Sequence, residues 1–359
     1  MNIILCGGGT AGHITPAISI YDYLKKFGHK PRLVVAQRDY PLIPESYDFN
    51  TININSPGNF LKKIIFILKF IPALIKSGSI INKHKPRCII GMGGFVSFPM
   101  LYTAKLKNIP IFLCEQNSIP GKVNRIFYKD AERAYLTFSK TLEFMPDGKV
   151  FGNPVRNDFF IVHRESARTV MKLKEEDKLL VVMGGSQGAL KLNELFFECI
   201  KDIKNHVNNL HIVWLAGPKW ASDIISKVNN AKLENVFVHS YYKDMANLLH
   251  AADFVISRAG SSSISEILVV NAPSLLIPFP YAADNHQYFN ALDLLNKDMA
   301  YLIEESDLDK EKLENIVINN LNNSERLKTM RENIKKNLSF RSVSSIVDDI
   351  IKTLEKNNK

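Results

Sequence analysis

The segment Asn2–Pro16 sets the tightest constraint on what this chain can fold into. A short apolar run, Asn2–Cys6, breaks into a loop carrying Gly7, Gly8, Gly9 and Gly12, and Pro16 then suits the first turn of a helix. The pattern reads as strand, tight loop, helix. Such a junction points unpaired backbone N–H groups and the positive end of a helix dipole at one spot, which favours an anionic or polar ligand beside His13. The device recurs at Leu179–Ala189, again an apolar strand, a glycine loop and a helix start. A chain of 359 residues is too long for one ordinary core, so the repetition predicts two nucleotide-fold halves that face each other.

The first half alternates strand-like runs at Asn2–Cys6, Arg32–Ala36, Cys88–Ile90 and Ile109–Cys114 with helical stretches, the rhythm of a parallel, helix-covered sheet. Turn chemistry at Gly152–Arg156 marks a boundary, and a charged helical stretch, Glu165–Glu176, leads onward. The second half repeats the rhythm at Leu179–Met183, His211–Ala216, Val236–His239, Phe254–Ser257 and Ser274–Pro278. The expected domains are therefore residues 1–156 and 157–342, with a final helix in 343–359 returning to the first.

Composition is that of a folded soluble chain, 46% hydrophobic and 23% charged. Cys6, Cys88, Cys114 and Cys199 lie far apart without metal-type spacing, which favours buried thiols in a reducing compartment over a disulfide framework or a zinc site. The first strand starts directly after Met1, so no secretory leader is read and a cytoplasmic location is expected. The formal net charge of +10 raises nucleic acid as a partner, but no basic stretch interleaved with aromatics supports it, so none is expected. Phe60–Lys76 is different. It is densely apolar, holds Lys62, Lys63, Lys69 and Pro72, contains no acid, and falls short of the ~20 apolar residues that a membrane span needs. It reads either as an interfacial segment on an anionic membrane surface or as a packing helix of an α/β domain.

Ligands of parallel sheets sit at the carboxyl ends of the strands, and the polar and glycine-rich loops fall there. Beyond the two glycine loops these are Gly91–Pro99, Glu115–Gly121, Ser257–Glu266 and Phe279–Ala291. The Gly260–Glu266 loop opens a helix with Ser261, Ser262 and Ser263, and can receive a diphosphate on N–H groups and hydroxyls. Glu266, one turn on, can accept bonds from both hydroxyls of a ribose; a capped helix with an early acid is the ordinary alternative. His286 and Gln287 resemble a sugar-reading pair, and His13 is either a structural histidine or a base. Two other chemistries satisfy local patterns. Gly7–Gly12 matches the dinucleotide fingerprint G-x-G-x-x-G, with Asp39 as a ribose ligand. Gly184–Gly188 matches the nucleophile elbow G-x-S-x-G, with Asp253 and His286 following in hydrolase order. Each leaves the other half of the chain idle.

Taken in order, Gly8–His13, Gly91–Gly94, Glu115–Asn117, Gly152–Arg156, Gly184–Ala189, Ser257–Gly260 and His286–Ala291 closely resemble the MurG family of peptidoglycan glycosyltransferases, over essentially the whole chain. The resemblance implies an α/β fold of two facing Rossmann-like domains, GT-B type, with a cleft between them. It implies inverting transfer of N-acetylglucosamine from UDP-N-acetylglucosamine (UDP-GlcNAc) to lipid I, undecaprenyl-diphospho-muramoyl pentapeptide, at the cytoplasmic face of the bacterial inner membrane. Carried over by motif, Thr10, Ala11, Gly12 and His13 border the donor diphosphate and sugar, Asn117 reaches the sugar, and Arg156 and Ser186 approach the nucleotide. Tyr242 falls where the family packs an apolar residue on uracil. Ser261, Ser262, Ser263, Ile264, Ser265 and Glu266 hold diphosphate and ribose, while Gln287, beside His286, reads sugar hydroxyls. His13 is the candidate catalytic base. No cofactor is implied, and a divalent metal is not required. The chain departs from the family at Ala11, usually Gly; at Cys114, usually His; and at the serine run 261–263, usually Ala-rich. Any catalytic part of that His is therefore not carried over. The rival readings are another two-domain UDP-sugar transferase with a different lipid acceptor, and a non-catalytic UDP-sugar-binding membrane scaffold.

Overall fold

The computed structural model describes residues 1–54, 60–337 and 343–356, without the side chains of Ala11, Leu42 and 60–69. By internal contacts the chain divides into one unit of Met1–Arg156 with Ser339–Lys359, and another of Asn157–Leu338.

The first unit runs β1 (Asn2–Cys6), α1 (Ala11–Lys26), β2 (Lys30–Ala36), β3 (Phe49–Ile52), α2 (Phe60–His84), β4 (Cys88–Gly91) and α3 (Ser97–Leu106). It continues through β5 (Ile111–Glu115), α4 (Lys122–Phe127), β6 (Arg133–Leu136) and β7 (Lys149–Val150). All seven strands are parallel, in the order β3-β2-β1-β4-β5-β6-β7. A strand covered on both faces buries alternate residues on opposite sides. Accordingly, β1 sends Ile3 and Leu5 into one apolar cluster and Ile4 and Cys6 into another.

In the second unit α5 (Asp158–Ile161) and α6 (Arg164–Val170) precede β8 (Lys178–Met183), α7 (Leu190–His206), β9 (Leu210–Leu215), α8 (Ala221–Asn230) and β10 (Val236–His239). Then come α9 (Met245–Ala251), β11 (Phe254–Arg258), α10 (Ser261–Val269), β12 (Ser274–Ile277), α11 (His286–Asn296), β13 (Tyr301–Leu302), α12 (Lys310–Leu321) and α13 (Ser324–Asn337). Its parallel sheet has the order β10-β9-β8-β11-β12-β13. The expected strands all form. The sheets add β3, β6, β7 and β13, each of two to four residues and too short for a periodic signal.

The final helix, α14 (Val343–Lys356), packs in the first unit. Val343, Ile346, Val347, Ile350 and Leu354 recur at helical spacing and join the core cluster of α1 and β1. Asp349 fastens it to the sheet by accepting from Tyr135 Oη and Lys149 Nζ, both at 2.8 Å, beside Arg133 Nε at 3.2 Å. Burial opposes the charge of Asp349, but these partners outweigh it and hold the carboxyl below the usual carboxylate range. Residues 357–359 of the expected helix lie outside the described residues.

Two local expectations change. The first helix starts at Ala11, which places Pro16 inside it rather than in its first turn. Pro16 cannot donate to the carbonyl of Gly12, and that residue has no side chain to crowd the turn. The charged stretch Glu165–Glu176 is helical only as far as Val170. The carboxyl-terminal part of α2 packs on the sheet through Ala73, Ser77, Ile80 and Ile81, while Ile71 and Ile75 are 61% and 70% exposed. The side chains of Lys62, Lys63 and Lys69 lie outside the described residues. Among the described residues no helix is long and apolar enough to cross a membrane.

Candidate active site at the two switch points

In each sheet the strand order reverses beside its first strand, between β1 and β4 and between β8 and β11. The loops leaving those strands diverge there, which opens a crevice for ligand at the carboxyl edge.

In the first unit these loops are Gly7–Thr10 and Met92–Val96, and they touch closely. A Cβ on Gly7 would lie 2.6 Å from Met92 Cβ, and one on Gly94, whose φ is +79°, would lie 2.1 Å from Gly8 O. The same carbonyl orients His13: Nδ1 lies 3.1 Å from Gly8 O and 3.1 Å from Thr10 Oγ1. A carbonyl only accepts, so the proton of the neutral ring sits on Nδ1 and Nε2 is the basic nitrogen. The ring lies against Gly93, where an added Cβ would come within 3.1 Å of Nε2. The half-buried His13 is thus set in one tautomer by two glycine loops. Thr10 is exposed and Gly12 half-buried beside it; the side chain of Ala11 lies outside the described residues.

Asp39 does not point outward as a ribose ligand would. It is buried, and its Oδ2 accepts from Gly9 N at 2.6 Å while occupying the space that a side chain at Gly8 would need. One N–H of the fingerprint is therefore spent on a protein carboxylate, which lies under the loop 3.8 Å from Arg38 Nε. That is poor ground for a dinucleotide pyrophosphate, and the loop's evident work is to hold His13.

The third loop of this unit follows β5. Glu115 is buried and accepts from Asn117 N and Gly121 N, each at 3.0 Å, and from Asn124 Nδ2 at 2.8 Å. Burial raises the carboxyl above its usual range, against the pull of those donors. Glu115 thereby shapes the turn that carries half-buried Asn117, whose carbonyl also accepts from Thr141 Oγ1 at 3.0 Å. Cys114 is a core residue; burial pushes its thiol up to about 12, so it offers no proton-transfer group in place of a histidine.

In the second unit the loop after β8 presents Ser186, which is exposed, and turns at Gly188, where φ is +76° and a Cβ would lie 2.1 Å from Ala216 O. After β11, α10 starts at Gly260 with no side-chain cap. The first-turn N–H groups of Ser261, Ser262 and Ser263 have no intrahelical acceptor. Ser262 Oγ is buried with no partner among the described groups, and Glu266 stands half-buried one turn on. Ile264 and Ser265 are different. The side chain of Ile264 is in the core and its N–H bonds Gly260 O, while the Ser265 hydroxyl bonds Ser261 O. Neither presents a polar group outward, so of these six residues only Ser261–Ser263 and Glu266 remain as groups that could meet a ligand at this helix start.

Arg258 bolts the neighbouring loop in place. It is 7% exposed, donates from Nη1 to Pro278 O at 3.0 Å, pairs through Nη2 with Glu305, and stacks 5.8 Å from the Phe279 ring. Phe279 N in turn donates to Gln287 Oε1 at 2.9 Å, which turns the amide NH2 of Gln287 into the group it can offer. His286 spends Nδ1 on Ala283 O at 2.7 Å. Tyr242 is half-buried, its hydroxyl donating to Met171 Sδ at 3.4 Å and its ring edge-on to His239 at 5.1 Å. Arg156, half-buried, ends the first segment of the first unit.

The hydrolase pattern fails on geometry. Asp253 precedes β11, where it takes Leu179 N at 2.8 Å and the guanidinium of Arg168 at 3.3 Å and also pairs with Arg164. It therefore sits at the amino edge of the sheet, whereas Ser186 lies beyond the carboxyl end of β8. Sequence reasoning missed three residues that hold these loops from behind, each within its own unit: Asp39, which holds the loop after β1, and the pair Arg258 and Glu305 in the second unit. Arg258 stood inside a recognised motif, but nothing near Glu305 signalled its partner. Among the described residues no group of three or more His, Cys, Asp or Glu side chains could hold a metal ion.

Comparison with known proteins agrees with this architecture. Residues 3–136 match the glycosyltransferase family 28 N-terminal domain, and residues 179–347 match its C-terminal domain. A UDP-N-acetylglucosamine--N-acetylmuramyl-(pentapeptide) pyrophosphoryl-undecaprenol N-acetylglucosamine transferase of Christiangramia forsetii is 37% identical, covering 100% of this chain and 99% of its own. The protein of that name from Acetivibrio thermocellus is 31% identical, with 99% of each chain covered. The crystal structure of Acinetobacter baumannii MurG superposes with a TM-score of 0.77 at 22% identity, covering 98% of this chain and 99% of that one, and so shares the fold. With both domains matched and full-length relatives above 30% identity, the chain belongs to the UDP-N-acetylglucosamine--N-acetylmuramyl-(pentapeptide) pyrophosphoryl-undecaprenol N-acetylglucosamine transferases of glycosyltransferase family 28.

Proposed function

We propose that this protein moves N-acetylglucosamine from UDP-GlcNAc to the 4-hydroxyl of the muramyl sugar of lipid I, giving lipid II. The observation that carries the donor side is the uncapped start of α10, with its first-turn N–H groups, the buried Ser262 hydroxyl and Glu266 one turn on. These suit a diphosphate followed by a ribose. Ser186 and Arg156 serve the nucleotide, Tyr242 the uracil, and Asn117, His286 and Gln287 the sugar. The acceptor hydroxyl attacks the anomeric carbon from the face opposite UDP. The new C–O bond forms as the bond to the UDP oxygen breaks, and the hydroxyl proton passes to His13 Nε2. The negative charge left on UDP meets the positive ends of α7 and α10, so this reading requires no divalent metal.

The test is release of UDP from UDP-GlcNAc with and without a lipid I analogue. Acceptor-dependent release supports the reading. Release only with another lipid-linked sugar makes the protein a different transferase, and donor binding without turnover makes it a scaffold. Within the donor site, Glu266→Gln should weaken UDP-GlcNAc binding by the roughly 1.5–3 kcal/mol of a charge-assisted hydrogen bond, read by direct titration. If a 2′,3′-dideoxyribose analogue of UDP loses as much affinity in the variant as in the wild type, Glu266 is not the ribose partner.

The same reading places the protein peripherally at the cytoplasmic face of the inner membrane, docked through Phe60–Lys76. The exposed Ile71 and Ile75, one helical turn apart on α2, support an apolar face for it. Each Lys near an anionic surface contributes about 1 kcal/mol. Lys62, Lys63 and Lys69 changed together to Gln should therefore reduce sedimentation with phosphatidylglycerol vesicles while sparing activity on a soluble acceptor. Unchanged sedimentation of the folded variant would return the segment to a packing helix.

A further inference from the structure

At the amino edge of the first sheet, away from the loops just described, lies a cavity of about 360 Å³. It is bounded by the starts of β1 and β2 and by the last turns of α1 and α2. Four permanent cations line it: Lys25, Lys30, Arg32 and Lys83. His29 and His84 are also in its wall, and Asp48 is the single carboxylate. That acid is already engaged, with its Oδ2 3.5 Å from Tyr21 Oη and its Oδ1 3.7 Å from Arg32 Nη2. It can neutralise one cation and leaves the wall with three.

Lys25 and Lys83 lie in last helical turns, where cations offset the helix dipole, which accounts for each of them singly. It does not account for Lys30 and Arg32, which come from a strand, nor for all of them converging on one concavity. A concave wall of one sign over low-dielectric protein concentrates its field inside the cavity. The His84 imidazole registers it: its pKa is lowered, first by burial and then by the charges of Arg32 and Lys83, against a smaller opposing pull from Asp48. Three net charges on flexible ammonium groups and a guanidinium match a compact, multiply charged phosphate better than a single carboxylate. Among the described residues this basic cavity takes no part in the proposed transfer.

We infer that the cavity at the amino edge of the first sheet is a binding site for a phosphate-bearing anion, separate from the nucleotide site. The ligand is either a soluble pyrophosphate group or a phosphate-bearing lipid headgroup. The test titrates the full-length protein, saturated with UDP, with inorganic pyrophosphate while following the imidazole C2–H resonance of His84 by NMR. In parallel, phosphatidylglycerol and phosphatidylcholine vesicles are sedimented with the protein. The variant is Lys25→Gln with Lys83→Gln, two exposed side chains outside the catalytic machinery, and Lys25→Arg with Lys83→Arg is its control. A His84 shift on pyrophosphate, weakened at least tenfold in the Gln variant and retained in the Arg variant, identifies a soluble ligand. No such shift, but a tenfold loss of phosphatidylglycerol binding in the Gln variant alone, identifies the headgroup. Equal behaviour of the wild type and the Gln variant in both arms overturns the inference.

Discussion

Replacing His13 with alanine is expected to lower turnover by about 10²–10⁴, the usual contribution of a positioned general base, with UDP-GlcNAc affinity near that of the wild type. The expectation rests on orientation. The bond between Nδ1 and Gly8 O, at 3.1 Å, makes Nε2 the proton acceptor, and the ring is seated against Gly93. Paired measurements of donor binding by titration and of kcat decide the matter. Full activity in the alanine variant would falsify the assignment, and a matching loss of donor affinity would make His13 a binding residue.

Gly94→Ala should be the most damaging small substitution in the first unit. The new methyl would lie 2.1 Å from Gly8 O in a backbone held at φ +79°, so it meets both a clash and a conformational penalty. The left-handed conformation costs roughly 1–2 kcal/mol for a residue with Cβ, and forced overpacking roughly 1–3 more. Thermal unfolding should fall by something like 4–20 °C for a unit of this size. Turnover should drop as well, because the displaced carbonyl is the one that orients His13. Gly28→Ala is the control: φ is +77° there too, but nothing lies within 4 Å of the added methyl, so only the conformational cost remains. Equal melting points for the two variants would mean that contact between the loops after β1 and β4 does not matter.

The first loop shows where pattern and structure part. Its G-x-G-x-x-G spacing is that of a dinucleotide site, and Asp39 stands at a suitable distance along the chain. Yet the carboxylate turns under the loop and takes Gly9 N at 2.6 Å, a contact between residues 30 positions apart that no local pattern encodes. Ser261–Glu266 was legible as a helix start with hydroxyls, but which groups face outward was not. Ser265 turns its hydroxyl back to Ser261 O, a choice set by burial of that side of α10. Cys114 reads in sequence as a missing histidine and in the fold as a core thiol.

By itself the sequence determined the elements and their class. Apolar runs broken by glycine loops could only be buried parallel strands feeding helices, because such runs need cover on both faces and such loops need φ values open to glycine. It also determined the family, since the motifs occur in one order along the whole chain. The tertiary structure alone decided the tautomer of His13, the withdrawal of Asp39 and the ion pair of Arg258 with Glu305. It also brought six basic residues from two helices, a strand and the turn between α1 and β2 around one cavity. The tautomer follows from how one short loop closes on Gly8 O, and the other three share a different reason. Strand and helix formation follow from periodicity within about ten residues, whereas a buried hydrogen bond or a shared electrostatic field depends on which distant segments the sheet order brings side by side.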